Sequence, residues 1–182
     1  KVMAQVAKDE LKAGTAAILT DQKNDYSVGL AGFFKTYFTA AGGTIVAEES
    51  YAEGDKDFNG ILTKVKSANP DVIVIPGYYN DVGLIAQQAR AQGVNQPLLG
   101  GDGWESPKLL EGAGAPAALE GAYYVNHYAT TSPKPEIQNF VSKYKAKYGN
   151  EPDSIAALAY DACKLLADAM GRAPSLKGSD IR

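Results

Sequence analysis

The feature that most constrains this chain is a recurring alternation of amphipathic helix and short apolar strand. Parallel strands need long crossover connections, and helices serve as those connections while covering both sheet faces. The alternation therefore predicts an α/β fold built on a doubly wound parallel sheet. Val2, Val6, Ala7 and Leu11 repeat at helical spacing, Gly14 is expected to cap that helix, and residues 16–20 follow as a buried strand. Leu30, Phe33, Phe34, Tyr37, Phe38 and Ala41 mark a second helix before the Gly42-Gly43 break, and residues 44–48 read as the second strand. Phe58, Ile61, Leu62 and Val65 mark a third helix, with Asp57 as its N-cap and Asn69-Pro70 at its end. The run Asp71-Val72-Ile73-Val74-Ile75 is apolar on both sides and belongs at the sheet centre. Val82, Ile85, Ala86 and Ala89 give a fourth helix stopped by Gly93, then come the strand Leu98-Leu99-Gly100 and a fifth over residues 122–128. The expected strand order is 2-1-3-4-5.

Beyond about residue 130 the pattern changes. Ile137, Phe140, Val141 and Tyr144 mark one helix, and Ile155, Leu158, Ala159, Ala162 and Leu166 mark another, with no strand between. These helices have no sheet of their own to cover. Residues 174–182 are polar, carry no apolar stripe and read as a connection to a part of the protein lying beyond them. The expected division is a sheet-containing lobe over 1–127 and a helical segment over 128–182.

Composition narrows the function. The chain has 182 residues, 45% of them hydrophobic and 21% charged, enough to bury a core. A net charge of −3 with dispersed lysines and arginines argues against a nucleic-acid partner, which wants clustered cations. The lone cysteine, Cys163, shares helical spacing with Ala159, Leu166 and Met170 and is expected in the core. No run approaches the roughly 20 apolar residues that span a bilayer, and the N-terminus lacks signal-peptide regions, so the chain reads as soluble and processed or truncated.

In a doubly wound sheet, ligands gather beyond the carboxyl ends of the strands, where strand order reverses. There the chain places Asp21 with Asp25 and Tyr26 after the first strand, Gly77-Tyr78-Tyr79 after the third, and Gly101-Asp102-Gly103-Trp104 after the fourth. Aromatic walls, glycines that admit a ligand to the backbone, and a carboxylate between glycines suit an amine-bearing, partly apolar ligand. Taken singly, the tyrosines could instead cover the sheet end, and Asp102 could cap a short helix over 106–110.

Several of these segments together resemble the leucine/isoleucine/valine family of type I periplasmic solute-binding proteins that serve ABC importers. They are Gly77-Tyr78-Tyr79 with the helix after it, Pro97 through Trp104, Gly54-Asp55-Lys56-Asp57-Phe58, and Ala159-Tyr160-Asp161-Ala162. The resemblance implies that Asp102 holds a ligand ammonium, that Tyr78 packs on the ligand, and that Tyr26 joins them; Tyr79, Gly103 and Trp104, on the same loops, are expected to line the site with them. Ser27 stands where family members commonly carry glycine. Ala156 falls on a ligand-facing position that is often aromatic in branched-chain binders, which implies room for a bulkier ligand side chain. The resemblance also implies that residues from about 128 onward cross a hinge and pack on the other lobe. This chain would then hold half a clamp, bind weakly alone, and expose apolar helix faces suited to a dimer or a swapped assembly. No cofactor is implied. The expected partners are an amino acid or analogue and, in the intact protein, a membrane permease. The expected location is periplasmic or extracellular, with a lipoprotein anchor in a Gram-positive source.

Other readings are weaker. Asp21, Asp25 and Asp102 could form a receiver-like metal and phosphoacceptor cluster, but no lysine stands at a late strand end to complete it. The glycines around Asp102 do not follow the first strand, as phosphate and dinucleotide loops require. His127 has no serine or cysteine arranged for it to activate and is expected to pack structurally in the fifth strand. No catalytic constellation emerges. Effector domains of repressors and ligand-binding domains of receptors share the same lobe, and fold alone does not separate them from a transport protein.

Overall fold

The computed structural model describes residues 1–106, 108–114 and 116–182. They form two units, Lys1–Asn126 and His127–Arg182. The first contains α1 (Val2–Gln5), which continues as a π turn over Val6–Glu10, then β1 (Thr15–Asp21), α2 (Asp25–Ala40), β2 (Thr44–Tyr51), α3 (Asn59–Ala68), β3 (Val72–Val74), α4 (Tyr79–Ala91), β4 (Leu98–Gly100), α5 (Lys108–Gly112) and β5 (Ala122–Tyr124). Short 3-10 turns lie at Asp102–Trp104 and Pro116–Leu119. All five strands are parallel, in the order β2-β1-β3-β4-β5 expected from the sequence.

Side chains in a strand alternate between faces, and β3 shows the consequence. Ile73 and Ile75 join one core layer with Leu62, Val65, Val82, Ile85 and Leu98. Val72 and Val74 join the opposite layer with Ile18, Phe34, Phe38 and Leu99. At the edge, β2 alternates exposed and half-buried positions. Asp71 ties the sheet together at its start: its Oδ2 accepts the N–H groups of Gly14 and Thr15, each at 2.8 Å. Those hydrogen bonds favour the charged form and hold the Asp71 carboxyl below the usual range.

Several local expectations are corrected. The first helix ends two residues earlier, with Lys12 rather than Gly14 in the left-handed conformation (φ 54°). The Ala13 N–H closes back on the Ala7 carbonyl, and Gly14 is spent on Asp71. Met3, Ala4 and Ala7 form the buried face, Val6 and Leu11 pack partly buried against it, and Val2 is exposed. On α2 the stripe is narrower than its spacing implied: Phe34 and Phe38 are buried, but Phe33 is 63% exposed. Phe58, not Asp57, is the N-cap residue of α3, although Asp57 Oδ1 does accept the Asn59 N–H at 2.9 Å. The fifth strand stops at Tyr124, and His127 lies exposed in a bend beyond it.

The second unit contains α6 (Pro135–Tyr148), α7 (Ser154–Arg172) and α8 (Gly178–Ile181). Residues 178–181 were expected to be plain connection. Pro135 starts α6, where its missing N–H is not needed, and Gly149 ends it at φ 82°. Asp153 caps α7 by accepting the Ala156 N–H at 2.8 Å. Phe140 gathers the rings of Tyr128, Tyr144 and Tyr160, at 6.5, 5.9 and 4.8 Å between centroids. Cys163 is exposed rather than buried, as are Leu165 and Leu166 on the same helix. Among the described residues, no helix is long and apolar enough to cross a membrane.

Candidate functional site

Tyr26, Tyr78, Asp102 and Gly103 come together at the carboxyl end of the first unit's sheet. Tyr26 lies in the first turn of α2, not in the preceding loop, because Asn24 caps the helix and its Oδ1 accepts the N–H groups of Tyr26 and Ser27 at 3.0 and 3.3 Å. Tyr78 is the N-cap residue of α4 and is 42% exposed. Asp102 opens the 3-10 turn that follows β4.

The Tyr26 hydroxyl donates to Asp102 Oδ1 at 2.9 Å and accepts the Gly103 N–H at 3.3 Å. Its ring lies 5.2 Å from that of Tyr78, tilted by 32°. Burial pushes the Tyr26 hydroxyl well above its ordinary range, the Gly103 N–H opposes that rise, and the Asp102 carboxylate adds to it. Tyr26 is therefore a neutral donor at physiological pH, turned toward the acid.

The close approach needs both glycines flanking Asp102. A Cβ at Gly103 would come 2.9 Å from the Gly77 carbonyl oxygen and 3.0 Å from the Tyr78 ring. A Cβ at Gly101 would strike the Tyr26 hydroxyl. The result is a half-buried carboxylate beside two tyrosine rings, a surface that suits a cation carried on an apolar group.

The other expected residues take different places. Trp104 is buried in the core, with Nε1 donating to the Ile75 carbonyl at 3.0 Å, so it supports the loop from beneath instead of lining a wall. Tyr79 is half-buried against the same core layer. Ala156 lies in the first turn of α7, in the second unit. The Lys108 N–H is capped by Ser106 Oγ at 3.2 Å, while Asp102 receives Tyr26. Among the described residues, no group of three His, Cys, Asp or Glu side chains is placed to hold a metal.

Two residues stand behind the site: Ser27, and Tyr51, which no sequence pattern singled out. Ser27 is fully buried and its Oγ accepts the Asp21 N–H at 2.9 Å. Tyr51 is buried against Gly77, and burial together with Asp81 and Asp21 raises its hydroxyl. Burial also raises the Asp81 carboxyl, although the Gly54 N–H donating to it opposes the rise. The Asn24-Asp25 pair was the available signal for a helix starting one turn earlier.

Residues 1–182 match the family model described as periplasmic binding protein. Leu/Ile/Val-binding protein homolog 3 of Brucella melitensis biotype 1 is 31% identical over 98% of this chain and 47% of its own length. The crystal structure of a leucine binding protein, LivK, from Thermotoga maritima MSB8 is 41% identical with a TM-score of 0.92, covering 99% of this chain and 51% of that one. LivJ, the branched-chain amino acid transporter substrate binding protein of Streptococcus pneumoniae, solved in complex with isoleucine, is 35% identical with a TM-score of 0.81 over 93% of this chain and 48% of its own. The chain spans about half the length of the relatives it matches.

Proposed function

The chain belongs to the periplasmic binding protein family, and from that premise we propose that it is one half of a clamp that captures a hydrophobic or branched-chain amino acid for an ABC importer. The observation that carries this reading is the Tyr26–Asp102–Gly103 arrangement beside the Tyr78 ring. Tyr26 donates to Asp102 Oδ1, and the Asp102 carboxylate is assigned to the ligand ammonium. Tyr78 packs on the apolar part of the ligand, and Gly103 lets it approach the backbone. Ala156, in the first turn of α7, is kept as a ligand-facing position on the resemblance alone, its small side chain leaving space for a bulkier ligand.

Capture proceeds without chemistry. Two lobes close on the amino acid, and the closed form presents the surface a membrane permease reads. The exposed apolar faces of α6 and α7 are assigned to contact with the rest of the longer protein, and in this chain alone they favour self-association. The protein works in the periplasm or outside the cell, on a lipoprotein anchor in a Gram-positive source. The support for this reading is the family together with the leucine- and isoleucine-binding relatives.

Calorimetry with leucine on the full-length protein tests it. Asp102→Ala should weaken binding by about 3–5 kcal/mol, since the ammonium is left buried without its partner. The chain alone should bind weaker than micromolar. Unchanged affinity in Asp102→Ala removes the assignment.

A further inference from the structure

We propose that Ser27 is a positioning residue for the acidic end of the site, setting where the Tyr26 hydroxyl stands and, through it, Asp102; this rests on the reading of Asp102 as the ammonium partner. Ser27 is fully buried one residue after Tyr26, and its Oγ accepts the N–H of Asp21, the last residue of β1, at 2.9 Å. The first turn of α2 is thereby held at two points. Asn24 fixes where the helix begins, by accepting the Tyr26 and Ser27 N–H groups. The Ser27–Asp21 bond joins that turn to the sheet, which cap hydrogen bonds within the turn cannot do.

The attachment matters because Tyr26 is a long lever with little slack at its tip. Its hydroxyl donates to Asp102 and accepts from the Gly103 N–H, and it lies against the backbone of Gly101, where a Cβ would collide with it. Sites of this kind lose function when their groups drift by about 0.5 Å. Removing the Ser27 hydroxyl leaves a buried N–H at Asp21 without its acceptor, and buried donors are rarely left unpaired. The first turn of α2 must then shift to satisfy that N–H, and the Tyr26 hydroxyl moves with it. Asp102 loses the donor that holds Oδ1.

The test has one arm that needs no ligand. Amide hydrogen exchange of the chain is compared at Gly103, whose N–H is accepted by Tyr26, and at Ile73, whose N–H is accepted by Pro97 in the sheet core. In Ser27→Ala, Gly103 should exchange about 10-fold faster relative to Ile73. Tyr26→Phe should speed Gly103 in the same way, and adding Ser27→Ala to it should change nothing more. If Gly103 is unaffected, or if Gly103 and Ile73 speed up together, Ser27 is a structural residue only and the proposal falls. If Ser27→Ala does not fold, Ser27→Cys, which keeps the side-chain shape at slightly larger size and a weaker acceptor, should show the same selective change in smaller measure.

The second arm is leucine affinity in the full-length protein. Ser27→Ala should bind about 10-fold more weakly, with no added loss in the Tyr26→Phe background. Losses that add independently overturn the proposal. A wild-type protein that binds no leucine overturns the transport reading instead, and the exchange arm still decides the role of Ser27.

Discussion

Helices α2 and α7 are similar in length, 16 and 19 residues, and both carry large apolar side chains at helical spacing. Phe38 of α2 is wholly buried, whereas Leu165 of α7 is 68% exposed and Leu166 54% exposed. The difference lies in what stands opposite each helix within its own unit. Phe34 and Phe38 meet Ile18, Val72 and Val74 of the sheet, while the described residues of the second unit include no strand. An apolar stripe states a demand for a partner, and burial requires that the partner be present.

That comparison can be broken by mutation. The largest effect is expected in the first unit, where Phe38→Ala should destabilise the chain by about 3–5 kcal/mol in urea denaturation. A loss under about 1 kcal/mol would mean that α2 does not depend on the sheet. A smaller effect is expected where the sheet is tied at its start. Asp71→Ala should lose about 1 kcal/mol at neutral pH, through the hydrogen bonds to Gly14 and Thr15. Because folding lowers the Asp71 carboxyl, its contribution is present above the ordinary carboxylate range and lost as pH falls through the folded value. The gap between wild type and Asp71→Ala should therefore close in acid, and a gap that widened there would contradict the assignment. The smallest effect is expected in the second unit, where Leu166→Ser should stay within about 0.5 kcal/mol in this chain. A larger loss would show that α7 has found a cover, and light scattering would then look for a second copy.

Much of the fold was legible because it rests on local periodicity. The two-sided run at Val72–Val74 announced the central strand, and Asn69-Pro70 and Gly93 marked helix ends through backbone chemistry alone. Gly14 misled, because a glycine near a helix end looks like a cap whether or not its φ is positive; Lys12 took the left-handed position once Asp71 claimed the Gly14 N–H. Trp104 misled in another way. Its place beside Asp102 in sequence suggested a wall, but the 3-10 turn over Asp102–Trp104 directs the indole inward to the Ile75 carbonyl.

For the candidate site, the sequence by itself determined which strand ends carry tyrosine, glycine and a carboxylate, because the alternation of helix and strand determines which loops share a rim. The number and succession of the strands came from it too, and the order expected for such a sheet is borne out by their pairing. Only the tertiary structure decided that the Tyr26 hydroxyl reaches Asp102, that Ser27 ties α2 to the end of β1, and that Phe33 and Cys163 face outward. Tyr26 and Asp102 stand 76 positions apart, the outward faces depend on what covers each helix, and Ser27 and Asp21, only six positions apart, meet because the loop between them folds back on β1; periodicity in the sequence states none of this.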